Sequence, residues 1–285
     1  MIRSLPRSKK YNVAFSIYII LFYLFLFAPL VITCVLAFNN SDFPSLPWKG
    51  FSLDWFFADT KERVGLIHDA NSLDSIIVSI KTAFFVSIFS LVLGTTGAFL
   101  FERFNFRFKQ GLYFLALAPL VIPGVILGIS LLLATNSAGT YFEDTLGLDI
   151  SFLRPSFWLV IIGQVSFIST FVLLVVSARL KKFDNTLYEA ALNLGASRFE
   201  TLRLIMIPFL KPSLIGAGAV AFLMSFENFN TTLFLVGSDT TLPINLYLQV
   251  RDGSTPIINA ISFLLIVTTS IMAILNLVLT KKEKS

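Results

Sequence analysis

Charge is scarce in this sequence: Asp, Glu, Lys and Arg make up 14% of its 285 residues, against roughly 25% in a soluble domain. A soluble domain of this length would need more charged surface. One cysteine, Cys34, excludes an intrachain disulfide framework. One histidine, His68, excludes a multi-histidine metal or haem site, and no other metal constellation is visible. No phosphate-binding glycine loop and no nucleophile–base pair stands out, so neither ATP hydrolysis nor another enzymatic activity is expected of the chain itself. The net charge of +5 and pI near 9.3 do not point to nucleic acid. The basic residues are divided among short segments instead of forming one patch.

What the chain has is apolar residues in blocks: 55% are hydrophobic and 31 are phenylalanine. Charge is absent from 11–41, 82–100, 110–142 and 155–177. It is absent again from 212–226 and 228–238 on either side of Glu227, and from 253–280. About 20 helical residues cross a hydrocarbon layer. These runs predict an all-α polytopic membrane protein with spans at 12–37, 74–100, 112–134, 156–178, 212–234 and 257–280. Ten-residue alternating segments, as in an outer-membrane barrel, are missing. Pro119 and Pro123 fall inside the third span, where local kinks or a broken turn are expected.

Orientation follows the distribution of Lys and Arg. Sixteen basic residues fall in the N-terminal segment, the connections after the second and fourth spans, and the C-terminal tail. The opposite side carries only Lys49, Lys61, Arg63, Arg154 and Arg251. Both termini are therefore expected in the cytoplasm. The N-terminal basic stretch and apolar run also resemble a secretory signal. The run is about twice the usual length of such an apolar core, so a retained first helix is expected.

The loop 179–211 is too charged for lipid, yet its apolar residues recur with order. Leu187, Ala190, Ala191 and Leu194 share a helical spacing, Gly195 interrupts it, and Phe199, Leu202 and Met206 form another short apolar face. This predicts two short helices joined at Gly195, with Pro208 restricting the return to the membrane. Periodicity leaves two readings open: an amphipathic loop on the headgroups, or a knob around Ala190, Ala191 and Gly195 set into a partner's groove, with Glu189 and Arg198 at its rim.

The segment resembles the cytoplasmic coupling loop of binding-protein-dependent ABC importer permeases. Their pattern runs Glu-Ala-Ala, three residues, Gly, nine residues, Ile, one residue, Leu-Pro. Here Glu189, Ala190, Ala191, Gly195, Ile205, Ile207 and Pro208 occupy those positions, with isoleucine at 207 in place of leucine. The resemblance implies that the loop inserts into a cleft of a separate ATPase. Glu189 would cap or fix the helix, Gly195 would permit its bend, and the two alanines would allow close packing. It also implies a second homologous permease in a heterodimer, two ATP-binding subunits that hold ATP and Mg, and an extracytoplasmic binding protein. The location implied is the bacterial cytoplasmic membrane.

The resemblance extends over most of the chain. Within the family it is to the smaller permease subunit of spermidine/putrescine importers, through LAFNNSDF at 36–43, FERFNFRF at 101–108, 177–197 and LPINLYLQVRDGSTPIINA at 242–260. A polyamine is thus the expected solute, with another small organic amine or solute as the alternative. Glu227 bears on this choice. At helical spacing it shares a face with Asn230 and Thr231, with Phe226 and Phe229 beside it. A carboxylate there suits a cationic solute on the pathway, or a structural contact at a helix end. The resembled permeases tend to carry aspartate near this position. Gln164, Ser166, Ser169 and Thr170 line a pathway or bond across packed helices, and Ser90, Gly94 and Gly97 are small packing positions. An ion-gradient-driven transporter is the main rival, but no inverted repeat and no paired midplane charges are evident; a non-transporting membrane anchor or signalling scaffold is the second.

Overall fold

The computed structural model describes the chain from Lys9 to Lys282 apart from residues 149 and 254. Arg3, Arg7 and Lys284 lie outside the described residues, as do the side chains of Lys9, Lys10, Lys281 and Lys282. Among the described residues no strand forms, only two isolated bridges, Asn39 to Phe51 and Asp59 to Val64. Helices follow in order: α1 (Lys9–Leu36), α2 (Asp54–Phe57), α3 (Ala70–Arg103), α4 (Lys109–Val121), α5 (Gly124–Leu146) and α6 (Phe157–Leu180). Then come α7 (Asn185–Asn193), α8 (Arg198–Thr201), a π-turn over Leu202–Met206, α9 (Ile207–Phe226), α10 (Thr232–Leu235), α11 (Leu242–Gly253) and α12 (Ile257–Lys282). Among the described residues, five helical stretches are long and apolar enough to cross a bilayer: Tyr11–Leu36, Ala70–Arg103, Gly124–Leu146, Phe157–Leu180 and Arg198–Phe226.

Two of the expected spans are redrawn. The stretch 112–134 is not one helix. Ile122, extended at φ −74° and ψ 128°, precedes Pro123, which can neither donate a helical hydrogen bond nor let Ile122 stay helical. Pro119 sits inside α4 without breaking it. The new helix α5 then continues to Leu146 and stops at Gly147, whose φ of +63° suits glycine. The helix α9 also ends early, at Phe226, where the sequence suggested continuation to 234.

The chain divides into two compact units. One comprises residues 1–73 and 246–285. In it α1 packs on α12, while Tyr18, Phe25 and Val31 stand exposed on α1 as a surface for lipid or other helices. The segment after α1 is tied down by buried Asn39. Its Nδ2 donates to the carbonyls of Ser45 and Pro47, its Oδ1 accepts from the Lys49 N–H, and its own carbonyl accepts from Trp55 Nε1. Arg63 pairs with Asp42 and Asp54 and stacks 5.5 Å from the Trp55 ring.

The other unit comprises residues 74–245, with α6 at its centre and α9 laid against it. Ile168, Val172 and Val176 of α6 are fully buried with Leu210 and Ala221 of α9. Glycine lets α3 approach: a Cβ on Gly94 would lie 2.6 Å from the Ser169 carbonyl oxygen and from Val172 Cβ. Gly94 and Gly97 are thus the close-packing positions the sequence indicated.

Candidate functional site

The loop after α6 is built from local capping interactions. Asp184 is the N-cap of α7, accepting from the Thr186 N–H at 2.9 Å. The far end closes as a Schellman motif: the Gly195 N–H bonds the Leu192 carbonyl and the Ala196 N–H bonds the Ala191 carbonyl. Gly195 supplies the left-handed residue, at φ +90°. The second short helix starts at once through a capping box. Ser197 Oγ accepts from the Glu200 N–H, and Glu200 Oε2 accepts from the Ser197 N–H at 2.7 Å. These backbone donors hold the Asp184 and Glu200 carboxyls below the usual carboxylate range.

Two short helices therefore meet at Gly195, but their outward surface differs from the expected apolar faces. Leu194 is 89% exposed and Phe199 69% exposed, with Leu187 and Leu204 also outside, whereas Met206 is buried and Leu202 half-buried. Phe199, Leu202 and Met206 do not make one face, because the π-turn rotates Met206 inward. That turn precedes Pro208, which lacks an N–H, and is closed by the Ile207 N–H on the Leu202 carbonyl. Glu189, Ala190, Gly195, Ile207 and Pro208 are exposed, Ile205 is half-buried and Ala191 is buried. Glu189 caps neither helix. Asp184, Ser197 and Glu200 do so, and the Ser-x-x-Glu signature at 197–200 was the signal that would have identified the second cap.

The second candidate region follows α9. Glu227, Asn230 and Thr231 do not share a helix face, because α9 stops one residue before Glu227 and the chain is irregular until Thr232. Glu227 is the C-cap, its N–H bonded to the Leu223 carbonyl at 3.1 Å and its side chain exposed. Asn230 is exposed, Phe226 and Phe229 are half-buried, and Phe226 stacks on Phe222 at 6.2 Å. Thr231 turns the other way. Fully buried, it donates from Oγ1 to the Gly124 carbonyl at 3.3 Å.

A buried polar network pins this break. Gln164 Nε2 on α6 donates to Thr232 Oγ1 at 2.8 Å, and Ser225 Oγ donates to Gln164 Oε1. Thr232 Oγ1 donates in turn to Asn228 Oδ1 at 2.9 Å. Gly124 and Gly128 make room for the irregular segment, and Gly163 for a side chain of α10. A Cβ on Gly128 would meet the Thr231 carbonyl oxygen at 2.8 Å, one on Gly163 would meet Leu235 at 2.3 Å, and one on Gly124 would meet Thr231 Oγ1 at 3.1 Å. Gly124 and Gly128 form a small-x-x-x-small pair legible in the sequence. Of the other polar residues on α6, Thr170 bonds across to the Ala116 carbonyl at 2.9 Å, while Ser166 bonds back to Gly163 in its own helix. Gln164 and Thr170 thus serve helix packing.

Residues 87–284 match the family described as the binding-protein-dependent transport system inner membrane component. The spermidine/putrescine transport system permease protein PotC of Haemophilus influenzae is 28% identical over 262 residues, covering 92% of this chain and 94% of that protein. The putrescine transport system permease protein PotI of Escherichia coli is 30% identical over 250 residues, 87% and 84% of the two chains. Among solved structures, a bacterial ABC transporter involved in the import of the acidic polysaccharide alginate aligns with a TM-score of 0.67. The alignment covers 98% of this chain and 99% of that one at 14% identity, a likeness of fold.

Proposed function

Since this chain belongs to the binding-protein-dependent transport system inner membrane component family, a multi-pass, non-catalytic permease, we propose that it forms half the pathway of an ATP-driven polyamine importer. Six spans with both termini in the cytoplasm complete the arrangement, α4 and α5 together taking the place of the expected third span. A second homologous permease forms the other half. Two ATPase subunits that bind ATP and Mg sit against the cytoplasmic loops, and an extracytoplasmic binding protein delivers the solute.

One observation carries the reading: the exposed knob α7–Gly195–α8, capped at three points and carrying Leu194 and Phe199 uncovered at its tip. A loop resting on lipid has no need of so fixed a backbone. A rigid apolar tip ringed by Glu189 and Arg198 suits a groove in a protein partner. Closure of the ATPase pair then moves the knob, and the two permease halves exchange inward-facing and outward-facing states.

The solute assignment rests on the polyamine relatives and on Glu227. The exposed carboxylate ends α9 beside Phe226, and a dication passing it gains charge compensation and an aromatic wall. The test is purification of the tagged chain from its native membrane with quantitative mass spectrometry, wild type against Leu194→Asp. That residue touches little within the chain, so its replacement spares the fold. An ATPase and a second permease should accompany the wild type, and the ATPase alone should be lost from the variant. ATP-dependent accumulation of putrescine or spermidine in proteoliposomes holding the wild-type complex completes the assignment. Transport by the isolated chain without ATP would overturn it.

A further inference from the structure

At the inner end of the 74–245 unit, two arginines and two phenylalanines from four segments form a continuous ladder. Arg103, the last residue of α3, donates from Nη1 to Asn185 Oδ1 at the start of α7, and its guanidinium lies 5.1 Å from the Phe183 ring centroid. Phe183, buried just before α7, meets Phe209 of α9 edge-on at 5.2 Å. Arg179 of α6 lies 4.1 Å from the Phe209 centroid, and its Nε donates to the Phe209 carbonyl at 3.3 Å. Cation–aromatic contacts strengthen when shielded from water, and an arginine is positioned by its planar fork as well as by its charge.

We propose that this ladder is the relay by which displacement of the knob reaches α3 and α9, with Arg103 as its positioning residue. The inference rests on the docking reading above. Two features distinguish it from ordinary packing. Arg103 binds the N-terminal turn of α7 directly, so α7 cannot shift without pulling the end of a 34-residue helix. Its Nη2 is also buried with no hydrogen-bond acceptor. Breaking the bond to Asn185 would leave a second guanidinium donor unpaired, so the tie holds as α7 moves. The neighbouring pair of Glu102 with Lys181, at 3.5 Å, ties α3 to the end of α6 at the same level.

The experiment uses the complete complex in proteoliposomes, measuring ATP hydrolysed and putrescine accumulated for wild type, Arg103→Met, Arg103→Lys and Asn185→Ala. The relay requires that Arg103→Met keep its ATPase and continue hydrolysis while putrescine moved per ATP falls about tenfold, within the usual range of site-to-site coupling. Arg103→Lys, which keeps a cation over Phe183, should restore most of that ratio. Spin labels at Phe104 and Thr186 give a readout independent of the solute. Trapping with ATP and vanadate should leave their separation unchanged in wild type and alter it in Arg103→Met. Loss of the ATPase from Arg103→Met would make Arg103 a brace of the docking surface and overturn the relay. So would wild-type coupling in both Arg103→Met and Asn185→Ala. If Arg103→Met fails to accumulate in the membrane, Asn185→Ala, altered only on an exposed first turn, takes its place: a reduced ratio supports the relay and a wild-type ratio overturns it. A wild-type complex that holds no ATPase would sink the docking reading itself, a separate outcome.

Discussion

Replacement of Gly94 by alanine tests whether α3 and α6 are held together by backbone proximity. The new methyl would sit 2.6 Å from the Ser169 carbonyl oxygen and from Val172 Cβ, about 0.8 Å inside ordinary contact. Neither atom can rotate away, since one is backbone and the other is bonded to it, so the helices must part. Overpacking of this kind costs about 1–3 kcal/mol, and alanine's helix preference over glycine returns about 1 kcal/mol. The net expectation is a loss of up to about 2 kcal/mol. Gly97→Ala is the internal control, because its nearest obstacle is Leu173 Cδ1 at 2.9 Å, the end of a rotatable side chain; it should be near neutral. Gly139→Ala, whose methyl would meet only Leu153 Cβ at 3.9 Å, should gain up to about 1 kcal/mol. Unfolding in detergent, followed by circular dichroism, ranks the three. Equal stability of Gly94→Ala and Gly139→Ala would refute the argument.

Gln164→Leu removes both hydrogen bonds to Ser225 and Thr232 and should cost about 1–3 kcal/mol by the same unfolding assay; no loss would mean the network is not what fixes the break after α9. Glu227→Gln should raise the half-saturating putrescine concentration in proteoliposomes about tenfold, with hydrolysis intact, if the carboxylate compensates a cation; an unchanged value removes it from the pathway. Asp184 and Glu200 have lowered carboxyl pKa values, so their contribution to the knob is complete above the unfolded-state value and fades as pH falls through the folded-state value. A fluorine label at residue 194 should therefore report loosening only on the acid side, below about pH 4. In Asp184→Asn with Glu200→Gln, where the amides still accept hydrogen bonds, that dependence should flatten.

Periodicity and charge were enough to place most helices, because an apolar run as long as the bilayer has few alternatives. The joint at Gly195 was equally legible, since a left-handed helix end strongly favours glycine. The break at Ile122–Pro123 was anticipated as a fault, but the continuation to Leu146 was not. Thr135, Asn136, Ser137 and Thr140 dilute the apolar pattern there, and helices do not end at polar residues without a stop signal. Glu227 was misplaced for the opposite reason. Hydropathy favoured a helix through 234, whereas the termination depends on Gln164, 63 positions away. Thr231 stands at helical spacing from Glu227, and nothing near it in the chain signals the seat that Gly124 and Gly128 leave for it. Contacts of this separation have no sequence period. In sequence Arg103 is one more basic residue between spans, because its partners Phe183 and Asn185 lie on the far side of three helices in the chain.

The two polar assemblies in the 74–245 unit fasten opposite stretches of the same helix. Arg179 and the neighbouring Phe183 belong to the ladder, and Gln164 belongs to the network that holds residues 225–232. Fifteen helical residues separate Arg179 from Gln164, about 22 Å of axis. Between them Val165, Ile168, Val172, Leu173 and Val176 are buried. A helix packed so tightly on several sides does not bend to absorb a push; close-packed interiors transmit strain. It moves as a rod or its neighbours repack. The irregular segment at 227–231, seated on glycine and fastened through Asn228 and Thr231, carries Glu227 at the far end of this rod. Under the docking proposed above, stiffness along α6 would let a push on the exposed knob be felt at Glu227.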